Sequence, residues 1–341
     1  MSKLKVTLIS FSVVNDCCKL QRCLYPLLTL KVQGKIELNV AYISAIGIYA
    51  YSQDQLKDLV DSTDIFLLQR PNVETPLIAL FIEKCLKLKS DLTFINEYDD
   101  YLLSELSPEK KYQHLEFIRK FPTIVSTMYL ATIFKKLVPD SRLFLYKNRL
   151  PGKELPTPVF KRNTILHIGT STHFNDLVLI QKVLRNVTDR GKKLIIWGNK
   201  VPEYIKNTKN VEQLHFVSDY EVYLNNLMDI PVSFGINPLA KTRKNWAKSG
   251  IKYIEFGLKG VPALFTDIPE YKEIVPKELL VTSTEWQEKI DEMLGKTVAQ
   301  LRELGMYMRE DVLENHMLTQ EHVDSYYDIL VQSRNLMRGI D

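Results

Sequence analysis

Short apolar runs alternate with stretches of helical spacing along almost the whole chain. In the first half the expected strands are Lys5 to Val14, Glu37 to Ile46, Ile65 to Gln69, Asp91 to Asn96, Thr123 to Ser126 and Arg142 to Tyr146. Between them, apolar residues recur every three or four positions around Leu20 to Leu30, Gln53 to Val60, Pro76 to Leu88, Lys110 to Lys120 and Met128 to Leu137, which predicts helices. Strands that alternate with helices imply a parallel sheet covered on both faces. The Pro- and Lys-rich passage from Asn148 to Asn163 follows neither period and reads as a hinge. A second series then begins, with strands at Thr164 to Gly169, Lys192 to Trp197, Leu214 to Val217, Ile230 to Ile236 and Val261 to Thr266, and helices at Asn175 to Asn186, Glu221 to Met228 and Ser249 to Leu258. The tail from Val298 to Met337 reads as strongly helical. The expectation is an α/β protein of two Rossmann-like halves, residues 1–155 and 156–320, with a C-terminal helix at 321–341.

The stretch from Phe234 to Val275 concentrates the chemistry. Gly260 ends a helix that carries Ile251, Ile254 and Leu258 on one side, and Glu255 lies within it. Lys248 and Ser249 stand at its start, where free N–H groups and the helix dipole favour a phosphate. A carboxylate such as Glu255 can accept two hydrogen bonds from a ribose diol. Together these residues read as a nucleotide-sugar site.

Composition changes this picture little. The chain has 341 residues, 45% hydrophobic and 25% charged, with a net charge of +4, as expected of a globular protein with room for two domains. Mild basicity is compatible with anionic donors, an anionic membrane surface or nucleic acid, and it does not choose among them. Cys17, Cys18, Cys23 and Cys85 form no paired metal-binding spacing and read as reduced thiols of a cytoplasmic protein. The first residues read as a strand rather than a signal peptide, and no apolar run reaches membrane-spanning length. Peripheral membrane contact stays open, and the sequence does not indicate an oligomeric state.

Several short motifs, in order, carry a resemblance. The chain resembles retaining glycosyltransferases of the GT-B type, close to glycosyltransferase family 4 (group 1). Glu255, in IEFGLKGVPALFTD, matches the second motif glutamate, and Asn245, Lys248, Ser249 and Lys252 match an N-x-x-K-S-x-I-K-Y-x-E pattern. Arg22 and Pro26, then Gln69, Arg70 and Pro71, then Glu97, Asp99 and Asp100, then Ser126 and Thr127 follow in the first half. Gly169, Thr172, His173 and Asp176 open the second. Two departures stand out: Ala247 occupies the place of the family's first glutamate, and no histidine lies in the acidic turn.

The resemblance implies two Rossmann-like domains facing each other across a cleft, and a nucleoside diphosphate sugar, UDP-linked in the favoured case. The sugar would pass with retention to an acceptor hydroxyl on a glycan, a cell-surface molecule or a protein. Donor-side residues would be Glu255, Lys248, Ser249, Lys252, Asn245, Gly169, Thr170, Thr172, His173, Asn237, Pro238 and Leu239. Asp99, Asp100 and Glu97 would orient or deprotonate the acceptor, with Arg22 and Arg70 on the acceptor side. No cofactor or essential metal is expected, since no D-x-D motif occurs there and cationic side chains can stabilise the leaving diphosphate. Other readings of the same residues remain. The Gly169 to His173 segment can be an ordinary turn, Glu255 can sit in a buried ion pair with Lys252 or Lys259, and the acidic residues can pair with Arg22 or Arg70. Two other functions also remain: a phage-type enzyme that glycosylates hydroxymethylated bases in DNA, and a non-catalytic sugar-nucleotide-binding scaffold.

Overall fold

The computed structural model describes residues 3–10, 16–42, 52–71, 75–101, 103–152 and 155–340. By contacts the chain divides into two compact units, Met1–Pro151 with Ala247–Ser249 and Leu318–Asp341, and Gly152–Trp246 with Gly250–Met317.

The first unit is built on a parallel sheet of strands β1 (Leu4–Ser10), β2 (Ile36–Tyr42), β3 (Ile65–Gln69), β4 (Thr93–Tyr98), β5 (Thr123–Val125) and β6 (Leu143–Leu145). Their order is β2-β1-β3-β4-β5-β6. Strands β3 and β4 are buried at every residue, as continuous apolar strands covered on both faces must be. Phe66 stacks on Phe94 at 5.3 Å and meets Phe81 edge-on at 5.4 Å, so the helix Thr75–Leu88 docks through aromatic contact. The C-terminal helix Gln320–Arg338 belongs to this unit, where Tyr326 packs on Tyr146 at 4.7 Å and Arg338 pairs with Asp91 at 2.9 Å. Side-chain caps mark the helix starts, with Ser52 and Gln55 forming a reciprocal capping box and Thr127 capping the helix Met128–Leu137.

The second unit repeats the plan with β7 (Phe160–Ile168), β8 (Lys193–Trp197), β9 (Val211–Leu214), β10 (Val232–Asn237), β11 (Ala263–Thr266) and β12 (Leu280–Val281), ordered β12-β11-β10-β7-β8-β9. In this order the first and fourth strands of the unit, β7 and β10, are neighbours. Their connections leave in opposite directions and open a crevice at the carboxyl ends, the usual ligand position in such sheets. In the first unit the same reversal falls between β1 and β3.

Several boundaries differ from the sequence reading. Strand β7 starts at Phe160, inside the passage expected to be hinge, because Phe160 pairs with Val232 of β10. Strand β9 runs Val211–Leu214 rather than Leu214 to Val217, since the pairing with β8 ends at Trp197 and Leu214. The helix expected over Asn175 to Asn186 is broken at Ile180 into Phe174–Leu179 and Gln181–Asp189. The tail is two helices, Val298–Asn315 and Gln320–Arg338. The helix that carries Glu255 is Ile251–Lys259, so Ser249 lies one residue before its Gly250 cap. The expected extensions of the first two strands to Val14 and Ile46 fall outside the described residues.

Helix Ile251–Lys259 ends at Gly260, whose φ of +68° is the left-handed cap that glycine adopts without strain. It is held against the helix Val298–Asn315 by close approach at two glycines. A Cβ on Gly257 would lie 2.5 Å from Val312 Cγ2, and one on Gly305 would lie 2.2 Å from the Gly260 carbonyl oxygen. Gly305→Ala should therefore push the two helices apart and cost about 1–3 kcal/mol. Urea unfolding measures this directly, and a wild-type midpoint would show that the contact yields without cost.

Candidate functional site

The second unit places its predicted residues around the β7–β10 crevice. After Ile168 the chain turns at Gly169, whose N–H donates to the Trp197 carbonyl at 3.0 Å. A side chain here would be tightly placed: a Cβ on Gly169 would come within 3.0 Å of His167 Nε2 and 3.3 Å of His173 Cβ. Thr170 and Thr172 join their hydroxyls at 2.7 Å, and His173 Nδ1 meets Asp176 Oδ2 at 2.9 Å. The other oxygen of Asp176 accepts from the Ala240 N–H at 2.7 Å and from Asn245 Nδ2 at 2.9 Å. One buried carboxylate thus ties the loop after β7 to the loop after β10. Asn237 ends β10 and donates through Nδ2 to the Tyr271 hydroxyl at 2.8 Å, while the Leu239 N–H donates to Thr266 Oγ1 at 2.8 Å. Pro238, between them, is buried.

Glu255 is 1% exposed. Its Oε2 accepts from the Tyr223 hydroxyl at 2.9 Å and from Lys252 Nζ at 2.7 Å. The ion pair with Lys252 weighed from the sequence is therefore present. Lys252 keeps about a quarter of its side chain exposed and also lies over the Tyr223 ring, 5.6 Å from its centroid. Lys259 is elsewhere: buried, it donates to the carbonyls of Leu227 at 2.7 Å and Met228 at 3.1 Å, and burial lowers its pKa to about 8. Tyr223 in turn packs on Trp197 at 4.8 Å. His167, beneath the turn, is neutral, because burial lowers its pKa to about 3. Its Nδ1–H donates to the Ile236 carbonyl at 3.3 Å. At the start of the Glu255 helix, Gly250 leaves the first-turn N–H groups without a side-chain cap.

The first unit gathers a second charged group at the ends of β3 and β4. Gln69 and Glu97 are register partners on these strands, and Ser10 Oγ donates to Gln69 Oε1 at 3.0 Å. Glu97 lies in the strand itself, not in the turn after it, and is fully buried with Arg22, which donates through Nε to its Oε1. Arg22 Nη1 also donates to the Tyr146 carbonyl. Burial raises the Glu97 pKa to about 7, against the pull of Arg22. Arg70 forks onto Asp99, with Nε on Oδ1 at 2.7 Å and Nη2 on Oδ2, and its backbone takes a φ of +49°, uncommon outside glycine. Burial works against the Asp99 charge, but Arg70 outweighs it and holds this carboxyl below the usual range. Asp100 pairs with Lys248 Nζ at 2.8 Å, and both side chains keep about a sixth of their surface exposed. Of the three acidic residues predicted to serve the acceptor, Glu97 and Asp99 are thus committed to arginines, and Asp100 to a lysine predicted for the donor.

The four cysteines are free thiols. Among the described residues Asp16, Cys17 and Cys18 bring potential metal ligands within 4.8 Å of one another. Arg70 Nη2 donates to Cys18 Sγ at 2.9 Å, and this positive neighbour disfavours a cation there. Among the described residues no helix is long and apolar enough to cross a membrane.

Three residues now at the site were not in the predicted donor set: Tyr223, His167 and the loop tie Asp176. Asp176 was visible only as a motif position. Tyr223 lies 32 residues from Glu255, and no local spacing announces the bond.

No family model matches the chain, and no curated protein matches it. Solved structures do. A glycosyltransferase from Rickettsia africae ESF-5 has a TM-score of 0.67 at 12% identity, with 99% of each chain covered. An alpha-glucosyltransferase in complex with UDP and a 13-mer DNA containing an HMU base has a TM-score of 0.67 at 13% identity, covering 97% of this chain and 100% of that one. TarM has a TM-score of 0.63 at 13% identity over 81% of this chain, which spans 58% of TarM's length. The fold is of the GT-B type.

The Arg22–Glu97 pair offers a direct test of this geometry. Removing one partner leaves an uncompensated buried charge or an unmet donor, so Glu97→Leu should cost about 3–5 kcal/mol. Adding Arg22→Met should return part of that loss. Denaturant unfolding of both variants and the double mutant checks it, and strictly additive losses would refute the coupling.

Proposed function

We propose that the protein is a retaining glycosyltransferase that takes its sugar from a nucleoside diphosphate donor, a UDP-sugar in the favoured case. The observation that carries this reading is Glu255. It is a buried carboxylate with one oxygen on Tyr223 and Lys252, in a unit whose strand order opens a crevice between β7 and β10. A carboxylate in such a place has donors that a ribose diol can replace, and Lys252 is then free to turn toward a phosphate. The Gly169 turn offers backbone N–H groups and small side chains to the diphosphate, and the uncapped first turn of Ile251–Lys259 adds the positive end of a nine-residue helix.

Retention follows if the acceptor attacks on the face the diphosphate leaves, with the departing phosphate taking the acceptor's proton. The charge that develops on the diphosphate is met by lysines and backbone amides, so the scheme requires no metal. Two neighbours support the choice of UDP, since the alpha-glucosyltransferase and the pneumococcal O-GlcNAc transferase GtfA were both solved with it. On the acceptor side, Asp100, paired with Lys248, is the candidate to orient the acceptor hydroxyl, because Glu97 and Asp99 are held by arginines. A glycan or protein hydroxyl is the favoured acceptor. Free thiols suit a reducing cytoplasm.

A second reading, glucosylation of a modified DNA base, is favoured by the near-complete coverage of the alpha-glucosyltransferase solved with DNA. It differs in requiring salt-sensitive duplex binding.

Titration calorimetry with UDP-, GDP-, ADP- and CDP-sugars tests the proposal. One donor should bind and be slowly hydrolysed, and Glu255→Ala should weaken that binding by about 30-fold or more. Binding without hydrolysis or transfer to any acceptor would favour the scaffold reading, and unchanged affinity in Glu255→Ala would remove the ribose assignment.

A further inference from the structure

Three of the four thiols lie in the first helical segment, and two of them touch. Cys17 and Cys18 open the helix Cys17–Lys19 with their Sγ atoms 3.6 Å apart. Consecutive residues of a helix do not normally face each other, so this meeting of sulfurs is a particular of the site. Cys17 is partly exposed, whereas Cys18 is only 5% exposed. Arg70 holds the inner sulfur. Its Nη2 donates to Cys18 Sγ at 2.9 Å, and its fork on Asp99 keeps the guanidinium in place.

The backbone here tolerates a change. Asp16 caps the helix, accepting the Lys19 N–H at 2.9 Å on Oδ1 and the Leu20 N–H at 3.0 Å on its carbonyl. Cys17 and Cys18 are therefore first-turn residues, whose N–H groups have no acceptor inside the helix. Turning the peptide between them costs no helical bond that either residue donates. Neither thiol has a part in the function proposed above, and the guanidinium beside them disfavours a metal cation. Covalent chemistry between the two sulfurs is what the arrangement suits.

We propose that Cys17 and Cys18 are a thiol modification site, closed to an intramolecular disulfide by a peroxide and reopened by a dithiol reductant. Peroxide reaches Cys17 first, because Cys18 is covered. The Cys17 thiol becomes a sulfenic acid as one water leaves. The Cys18 sulfur then attacks the Cys17 sulfur, and the sulfenic oxygen departs as a second water. Two thiols lose two electrons, and the peroxide takes them. Before oxidation the hydrogen bond with Cys17, together with burial, keeps Cys18 protonated against the pull of Arg70. Conversion of the Cys17 thiol removes the first of these, and Arg70 then stabilises the attacking thiolate. Consecutive Cα atoms lie about 3.8 Å apart, short of the roughly 4.4–6.8 Å that disulfides prefer. The closed ring is strained and readily reduced, a reversible mark rather than a staple. Cys23 and Cys85 have no exposed surface and stay out of it. Nothing in this chemistry depends on the glycosyltransferase reading.

The test treats the folded protein with a slight excess of hydrogen peroxide, alkylates the remaining thiols after unfolding and weighs the tryptic peptides. Cleavage after Lys5, Lys19 and Arg22 separates Cys17 and Cys18 from Cys23. In the wild type the peptide from Val6 to Lys19 should lose two hydrogens and take up no alkyl group, while Cys23 and Cys85 are alkylated in full. Dithiothreitol added before alkylation should restore both thiols. Cys18→Ser should leave a Cys17 sulfenic acid that dimedone captures, and Cys17→Ser should leave Cys18 reduced. An unchanged wild-type peptide, a disulfide between two chains, or Cys17 carried to the sulfinic acid beside an unmodified Cys18 would overturn the proposal. Oxidation of Cys23 or Cys85 at the same rate would overturn it too, since that reports unfolding rather than a site.

Discussion

Parallel strand pairing is the constraint from which the rest of this structure follows. Every ladder in both sheets is parallel, so all strands of a unit end at the same edge, and every connection must return across a face of the sheet. Residues far apart in sequence are therefore delivered to one rim: Gly169 after β7, Gly198 after β8, Phe216 after β9 and Asn237 at the end of β10. The order β12-β11-β10-β7-β8-β9 then puts the reversal of winding beside Gly169 and Asn237. No helix has to cross the sheet there, and the crevice stays open. Asp176 holds its two lips together, with one oxygen toward the loop after β10 and the other on His173.

Burial decides which charged groups are free to act. Arg22 and Glu97 have no exposed surface, and in such surroundings the loss of hydration is large for both charges. The pair persists because Arg22 also reaches the Tyr146 carbonyl, which makes it an anchor between β4 and the segment after β6. Glu255 is nearly as buried, but its partners are of another kind. Tyr223 supplies a neutral hydroxyl, and Lys252 is a flexible chain with part of its length in water. Such partners exchange at low cost, whereas the buried Arg22–Glu97 bond and the Arg70 fork on Asp99 do not. The contrast separates Glu97 and Asp99, held by arginines, from Glu255 and Asp100, each paired with a partly exposed lysine.

What could be read from the sequence follows the same division between local and distant causes. The helix around Glu255 and its stop at Gly260 were legible, because 3.6-residue spacing and a left-handed glycine are local signals. The Lys252–Glu255 pair, three residues apart on one helix, was legible too. The Arg22–Glu97 pair spans 75 residues, and nothing local chose between it and the catalytic role expected of Glu97. The early start of β7 was also hidden, since it depends on a tertiary partner. Phe160 is in a strand because Val232 lies opposite, not because of its neighbours in sequence.

The misplacement of β9 is the most instructive of these. The apolar residues Leu214, Phe216 and Val217 drew the expected strand toward 214–217, on the premise that apolar side chains go to the core. The ladder instead stops at Leu214, where β8 also ends, and Phe216 is left with most of its ring in water. Burial of a phenyl ring stabilises a fold by about 1.5–3 kcal/mol, and this position forgoes most of that gain.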